Sequence, residues 1–216
     1  APLRIGLMDH GPNGMPIEDP CAEAARRAAD ALSGLGHEIV RADVPTLSEE
    51  LVAPFLVVIN AALADYDGVD WDKVEPHIKQ QRADALATTS WDHAVAERAL
   101  ERASRELVAA WGRDFDVLLT PTTGIVAPPV GVLETVHANP GQPAAPVLGM
   151  VAFTAFANIT GLPAISLPVH WTDEGVPVGA MLTGGPFGEA GLLRLAGALE
   201  QALPWADRVP PLLATA

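Results

Sequence analysis

The sequence predicts an α/β fold, a mixed sheet with flanking helices, and three observations carry that reading. Short apolar runs at 3–8 and 115–120 have the length and composition of buried strands. A helical apolar stripe separates the first run from a second strand-like segment at 37–42. That is the spacing of a right-handed βαβ unit with parallel strands. Further along, Ile165, Leu167 and Val169 alternate with Ala164, Ser166 and Pro168, and Val178, Ala180 and Leu182 alternate likewise. Across the turn Thr172-Asp173-Glu174-Gly175 this predicts an antiparallel hairpin with one buried face.

The remaining elements follow in order. Asp19-Pro20 reads as a helix N-cap followed by proline at the first helical position. Cys21, Ala25, Ala28, Leu32 and Leu35 then mark one face of a helix ending near Gly34 or Gly36. Ser48 with Glu49 and Glu50 starts a second helix, faced by Leu51, Phe55, Ile59 and Ala62 and kinked by Pro54. Residues 65–90 are polar and mixed, a pattern of short helices and loops. Ser90 or Asp92 opens a longer helix with Val95, Ala99, Ala103, Leu107 and Trp111 inward. Its outer face carries Glu97, Arg98, Glu101, Arg102, Arg105 and Glu106. The strand at 115–120 runs into the loop Pro121-Thr122-Thr123-Gly124, and the proline-rich stretch 124–146 is an irregular connection. Residues 147–160 are helical and stop at Thr160-Gly161-Leu162-Pro163, where Gly161 supplies a left-handed residue. The last helix is expected from about Phe187 to Leu203, with Leu192, Leu195, Ala196 and Leu199 inward. No internal repeat and no domain boundary is visible.

Composition narrows the function. Half the 216 residues are apolar, enough to bury a core. The formal charge is −14, and Lys73 and Lys79 are the only lysines. Such a surface repels nucleic acid and anionic membranes and fits a cytoplasmic protein. Cys21 stands alone, which excludes a disulfide framework and a cysteine-based zinc site. No apolar run approaches the roughly 18 residues of a spanning helix. The chain starts at Ala1 without an initiator Met, the mark of a processed product or a fragment.

The residues offer no complete catalytic set. Hydrolysis needs a nucleophile, a base in reach and oxyanion donors. Ser33 and Ser104 fall in helices, Ser48 and Ser90 at helix starts, and Ser166 in mid-strand, opposite the apolar stripe. None lies in a G-x-S-x-G elbow. The six histidines lack metal-ligand spacing, so no metal is implied. Gly184-Gly185-Pro186-Phe187-Gly188 follows a strand, but it lacks phosphate-loop spacing and a nearby cation. The acidic run around Gly68 lacks the glutamate of a calcium loop, since position 76 is Pro76.

Three segments resemble the amidase-signature family. The first is DVLLTPTT from Asp116 to Thr123, followed by Ala127-Pro128-Pro129-Val130-Gly131. The second is Phe153-Thr154, Asn158 and Thr160-Gly161-Leu162-Pro163-Ala164. The third is Gly175-Val176-Pro177-Val178-Gly179, then Gly184, Pro186-Phe187, Glu189, Leu192-Leu193 and Glu200. Their order is similar to the family's C-terminal half, as is an opening LRIG in a βαβ unit closing in LGHEIV. The resemblance is strong from about 113 to 207, looser from 1 to 45 and weak between.

The resemblance implies that 1–216 is the C-terminal portion of the amidase-signature fold. The family's Ser–Ser–Lys machinery and Gly/Ser-rich oxyanion loop belong to the N-terminal half, so no catalytic residue is expected here. What remains is expected to complete the sheet and form one wall of the substrate pocket. The implied wall is Thr120, Thr122 and Thr123 at the strand end, with Phe153, Thr154, Phe156 and Asn158. The chain departs from the family's usual residues at Phe156-Ala157, Met181 and Gly185. The implied protein hydrolyses a small carboxamide to an acid and ammonia or an amine, without a cofactor. Its implied partner is the missing half of the fold, and the chain alone is expected to be inactive and either to self-associate, as a homo-oligomer, or to be unstable. Two other readings stay open: a non-catalytic α/β binding domain, and a subunit of a tRNA-dependent amidotransferase. In the latter, the acidic surface argues against direct RNA contact by this half.

Overall fold

The computed structural model describes residues 1–44, 48–133 and 145–209. Five strands form one mixed sheet in the order β2-β1-β3-β5-β4. They are β1 (Arg4–Leu7), β2 (Glu38–Arg41), β3 (Val117–Pro121), β4 (Ala164–Trp171) and β5 (Pro177–Gly184). β1 pairs in parallel with both β2 and β3, while β5 runs antiparallel to β3 and to β4. Among the described residues the α-helices are α1 (Asp19–Gly34), α2 (Glu49–Ala61), α3 (Pro76–Ala87), α4 (Ser90–Val108), α5 (Ala145–Val151), α6 (Thr154–Thr160) and α7 (Glu189–Ala202). The expected mixed sheet with flanking helices is therefore present. Among the described residues, no helix is long and apolar enough to cross a membrane.

Side-chain alternation along the central strands builds two cores. Ile5, Leu7, Val117, Leu119, Val178, Ala180 and Leu182 face α1 and α7. Those helices answer with Cys21, Ala25, Ala28 and Leu32, and with Leu192, Leu195, Ala196 and Leu199. Met8, Leu118 and Met181 face the other way, toward Leu107, Phe115, Phe153, Phe156 and Leu162. Burying each Leu or Phe stabilises the fold by about 1.5–3 kcal/mol. Gly6 is required between these layers, because a Cβ there would stand 2.7 Å from the Phe115 ring.

Several sequence expectations need correction. Asp19 is the first helical residue of α1 and Glu18 is the N-cap, so Pro20 sits one place further in. Leu35 is exposed rather than inward. Thr89 caps α4 through a reciprocal pair with Asp92, and the buried side is Ala96, Leu100 and Leu107. Val95 is half exposed and Trp111 lies beyond the helix. Ile59 on α2 is exposed, and Ala62 lies just past the helix end, also exposed. β5 is buried on both faces from Ala180 onward, because α1 and α7 pack on the face carrying Ala180 and Leu182 while Phe153 and Phe156 share a core with Met181 on the other. Phe187 has a left-handed φ of 61° and is almost fully exposed, so α7 starts after it. Helix 147–160 is broken in two at Ala152-Phe153. Much of the irregular stretch 124–146 lies outside the described residues. Gly161 does take the left-handed conformation, with φ 67°, and its N–H bonds the Ala157 carbonyl.

An ion pair fastens β1 to the approach of β3. The Arg4 N–H donates to Asp116 Oδ2 at 2.8 Å and its guanidinium to Oδ1 at 3.0 Å. The same guanidinium donates to the Gly112 and Arg113 carbonyls. The Arg4 backbone N–H, then its side chain, holds the Asp116 carboxyl below the usual aspartate range. A depressed folded pKa means stability that is present above the ordinary range and lost as pH falls through the folded value. Asp116→Asn is therefore expected to melt a few degrees below the parent at pH 7. The difference should shrink below about pH 4. Melting curves from pH 7 to 3 check this, and a pH-independent difference would refute it.

Candidate functional site

α1 carries the chain from β1 to β2 on one side, and the chain then crosses to β3 on the other. Strand order thus reverses at β1/β3. In open α/β sheets, ligands bind outside the carboxyl ends of strands at such a point. Here those ends deliver Met8–Gly11 and the loop 122–126.

The loop is anchored at nearly every residue. Thr122 N–H donates to the Gly179 carbonyl at 3.0 Å, and its hydroxyl meets the Ser166 hydroxyl at 2.6 Å. Gly179 leaves room for that pair, since a Cβ there would stand 2.7 Å from both oxygens. The Thr123 hydroxyl donates to the Ile125 carbonyl at 2.8 Å and also bonds Cys21. Burial pushes the Cys21 thiol up to about 11, the Thr123 bond offsetting part of this and Glu18 adding to it. The thiol therefore stays protonated at neutral pH and is a poor nucleophile. Gly124 N–H donates to the Gly149 carbonyl at 2.7 Å, tying the loop to α5. Glu18 holds two points: its N–H donates to the Gly124 carbonyl at 2.8 Å, and its Oε2 accepts from Val126 N–H at 2.7 Å. Beside the loop runs a largely apolar groove of about 580 Å³, bounded by Met15, Ile125, Val126, Pro128 and Leu148, with Glu18 on its wall.

The sequence-predicted residues divide into two groups. Thr122, Thr123, Thr154 and Asn158 keep surface exposure. Thr120 is buried in β3, its hydroxyl bonding the Pro121 carbonyl at 2.7 Å. Phe153 and Phe156 lie fully within the second core, and Phe156 stacks on Trp111 at 5.3 Å between centroids. Asn158 donates to the Thr154 carbonyl at 2.9 Å within α6, and the Thr154 hydroxyl donates across the break to the Val151 carbonyl of α5 at 3.4 Å. Glu18 carries no mark of this role in the sequence, while Gly179 and Trp111 stand there only as a motif glycine and a helix-face residue. Trp111 also occupies the space beside Gly185, where a Cβ would come within 3.3 Å of its ring. Met181, another departure, is buried opposite Thr120 and Ser166 in the register. Among the described residues, no three His, Cys, Asp or Glu converge as a metal-ligand set.

A protein-family model described as Amidase matches residues 1–193. The chain belongs to the amidase family. It is 32% identical over 232 residues to the 6-aminohexanoate-cyclic-dimer hydrolase of Pseudomonas sp. (strain NK87), covering 98% of this chain and 46% of the relative. It is 33% identical over 202 residues to an amidase of Pseudomonas putida, covering 90% of this chain and 42% of that one. A solved structure of 6-aminohexanoate cyclic dimer hydrolase superposes with a TM-score of 0.89 at 29% identity, covering 99% of this amidase-family chain and 47% of that one. The chain thus spans about half the length of the curated relatives it matches.

Proposed function

We propose that this chain supplies the scaffold and one wall of the substrate pocket of an amidase, which hydrolyses a carboxamide to an acid and ammonia or an amine. The observation that carries the reading is the near-complete superposition of this chain on less than half of a cyclic-amide hydrolase. The nucleophile and base come from the complementary half of the fold. Within this chain the Ser166 hydroxyl is engaged by Thr122, and the only lysines, Lys73 and Lys79, sit in and beside the polar segment before α3 and at its start. The half-buried Thr122, Thr123 and Thr154 and the exposed Asn158 form the pocket wall, while Thr120, Phe153 and Phe156 support it from beneath. Exposed Leu56 and Ile59 on α2, with Trp91 and Val95 on α4, support a chain that meets further protein surface.

The test is amide hydrolysis followed by ammonia or amine release, with hexanamide, benzamide and 6-aminohexanoate cyclic dimer as probes. The 216-residue chain alone is expected to be inactive, and the full-length gene product active on at least one probe. Turnover by the isolated chain would refute the division of labour. A full-length product inert toward every probe would refute the amidase reading.

A further inference from the structure

Glu18 occupies the N-cap of α1, a position that favours Ser, Thr, Asp or Asn because their short side chains bond the first free N–H groups of the helix. Its carboxylate makes no such bond. It reaches instead to Val126, 108 residues away in sequence, and accepts that N–H at 2.7 Å. Its own N–H meanwhile donates to the Gly124 carbonyl at 2.8 Å. One residue thus brackets the loop after β3 from both sides of Ile125. Gly124 has little room to move: a Cβ there would lie 3.1 Å from Ile17 and 3.2 Å from the Gly149 carbonyl. The segment before α1, the loop after β3 and α5 therefore meet at Gly124, and the Glu18 side chain is the charged fastener of that meeting.

We propose that Glu18 is a positioning residue for the pocket, holding Gly124–Val126 so that Thr122 and Thr123 face the substrate in one fixed arrangement. Its consequence for catalysis rests on the amidase reading given above; the fastening does not. A loop that wanders binds substrate less well, because each turnover must first reorder it. Since the carboxylate does not cap its own helix, removing it leaves the capping bonds of α1 as they were. Glutamine keeps an acceptor oxygen at the same reach without the charge, which separates the bond from any attraction to the helix dipole.

The experiment compares Glu18→Ala and Glu18→Gln in the full-length gene product. Hydrogen exchange at the Val126 amide is expected to accelerate about tenfold in Glu18→Ala and to stay within about threefold of the parent in Glu18→Gln. With whichever amide of the probe panel the parent turns over best, KM is expected to rise about fivefold in Glu18→Ala with kcat nearly unchanged, and Glu18→Gln to restore it. Parent-like exchange at Val126 in Glu18→Ala would overturn the proposal. So would a lowered melting temperature with KM unchanged, since that is a structural role alone. If the parent hydrolyses none of the probes, the amidase reading fails, and the exchange measurement still decides whether Glu18 fastens the loop.

Discussion

Gly11→Ala is expected to destabilise the protein by about 2–4 kcal/mol. Gly11 is buried where the chain leaves β1, with ordinary backbone angles of φ −70° and ψ 144°. Alanine adopts those angles freely, so the cost is contact and not strain. A Cβ would lie 1.9 Å from the Met15 carbonyl oxygen and 2.8 Å from its carbon. Both are backbone atoms, which no rotamer change can move aside. The turn at 12–15 is closed by Met15 N–H on the Pro12 carbonyl at 2.9 Å, so relief means opening it. Ile17 and Glu18 follow directly and carry the contacts to Gly124 and Val126. The damage therefore runs from a single methyl group to the loop after β3. Thermal unfolding should show a fall of roughly 4–16 °C for a domain of this size. Gly34→Ala is the control, since no neighbouring atom lies within 4 Å of the added Cβ in α1. It should be neutral or stabilising by up to about 1 kcal/mol. A Gly11→Ala variant that melts with the Gly34→Ala variant would refute the argument.

The elements legible in the sequence are those whose signal is local. The inward face of α7 and the alternation along β4, where Leu167 and Val169 are buried, repeat within a few residues, and both match the structure. The left-handed stop at Gly161 is equally local. The inward face of α4 is not legible, because its apolar residues surround much of the helix: Trp91, Val95, Ala96, Ala99, Leu100 and Ala103 offer more than one stripe. The partners on α2 and α6 choose the stripe with Ala96, Leu100 and Leu107, and periodicity cannot see partners. The second buried face of β5 was missed for the same reason, since Met181 and Thr183 carry no mark of the layer above them.

The candidate site shows the same division. Thr122 and Thr123 announce themselves by following a buried strand, the position from which open sheets present ligands. Glu18 gives no such notice. It looks like one more acidic residue at a helix start, an ordinary partner of the helix dipole. Its role depends on a bond spanning 108 positions, and only the register of β1 on β3 brings its ends together. The Thr122–Ser166 pair is similar, joining residues 44 apart across β5.

Phe156 tests the division between the proposed pocket wall and the core beneath it. Its ring is 2% exposed and stacks on Trp111 with an interplanar angle of 15°. Trp111 in turn meets Phe115 edge-on at 4.9 Å and donates its indole N–H to the Thr183 carbonyl at 3.2 Å. The column ties α6, the turn before β3 and the end of β5 into one unit. Phe156→Ala removes the end of the column on α6 and leaves a cavity beside Trp111. The expected loss is about 3–5 kcal/mol, or roughly 6–20 °C in melting temperature. If Phe156 only supports the wall, the folded fraction should bind substrate as the parent does. KM should then stay within about twofold while the melting temperature falls. Asn158→Ala should do the reverse. Asn158 is exposed, so its loss should cost no more than about 0.5 kcal/mol of stability, and any effect should appear in KM. A Phe156→Ala variant with parental stability and a tenfold higher KM would place that ring against the substrate and overturn its assignment to the core.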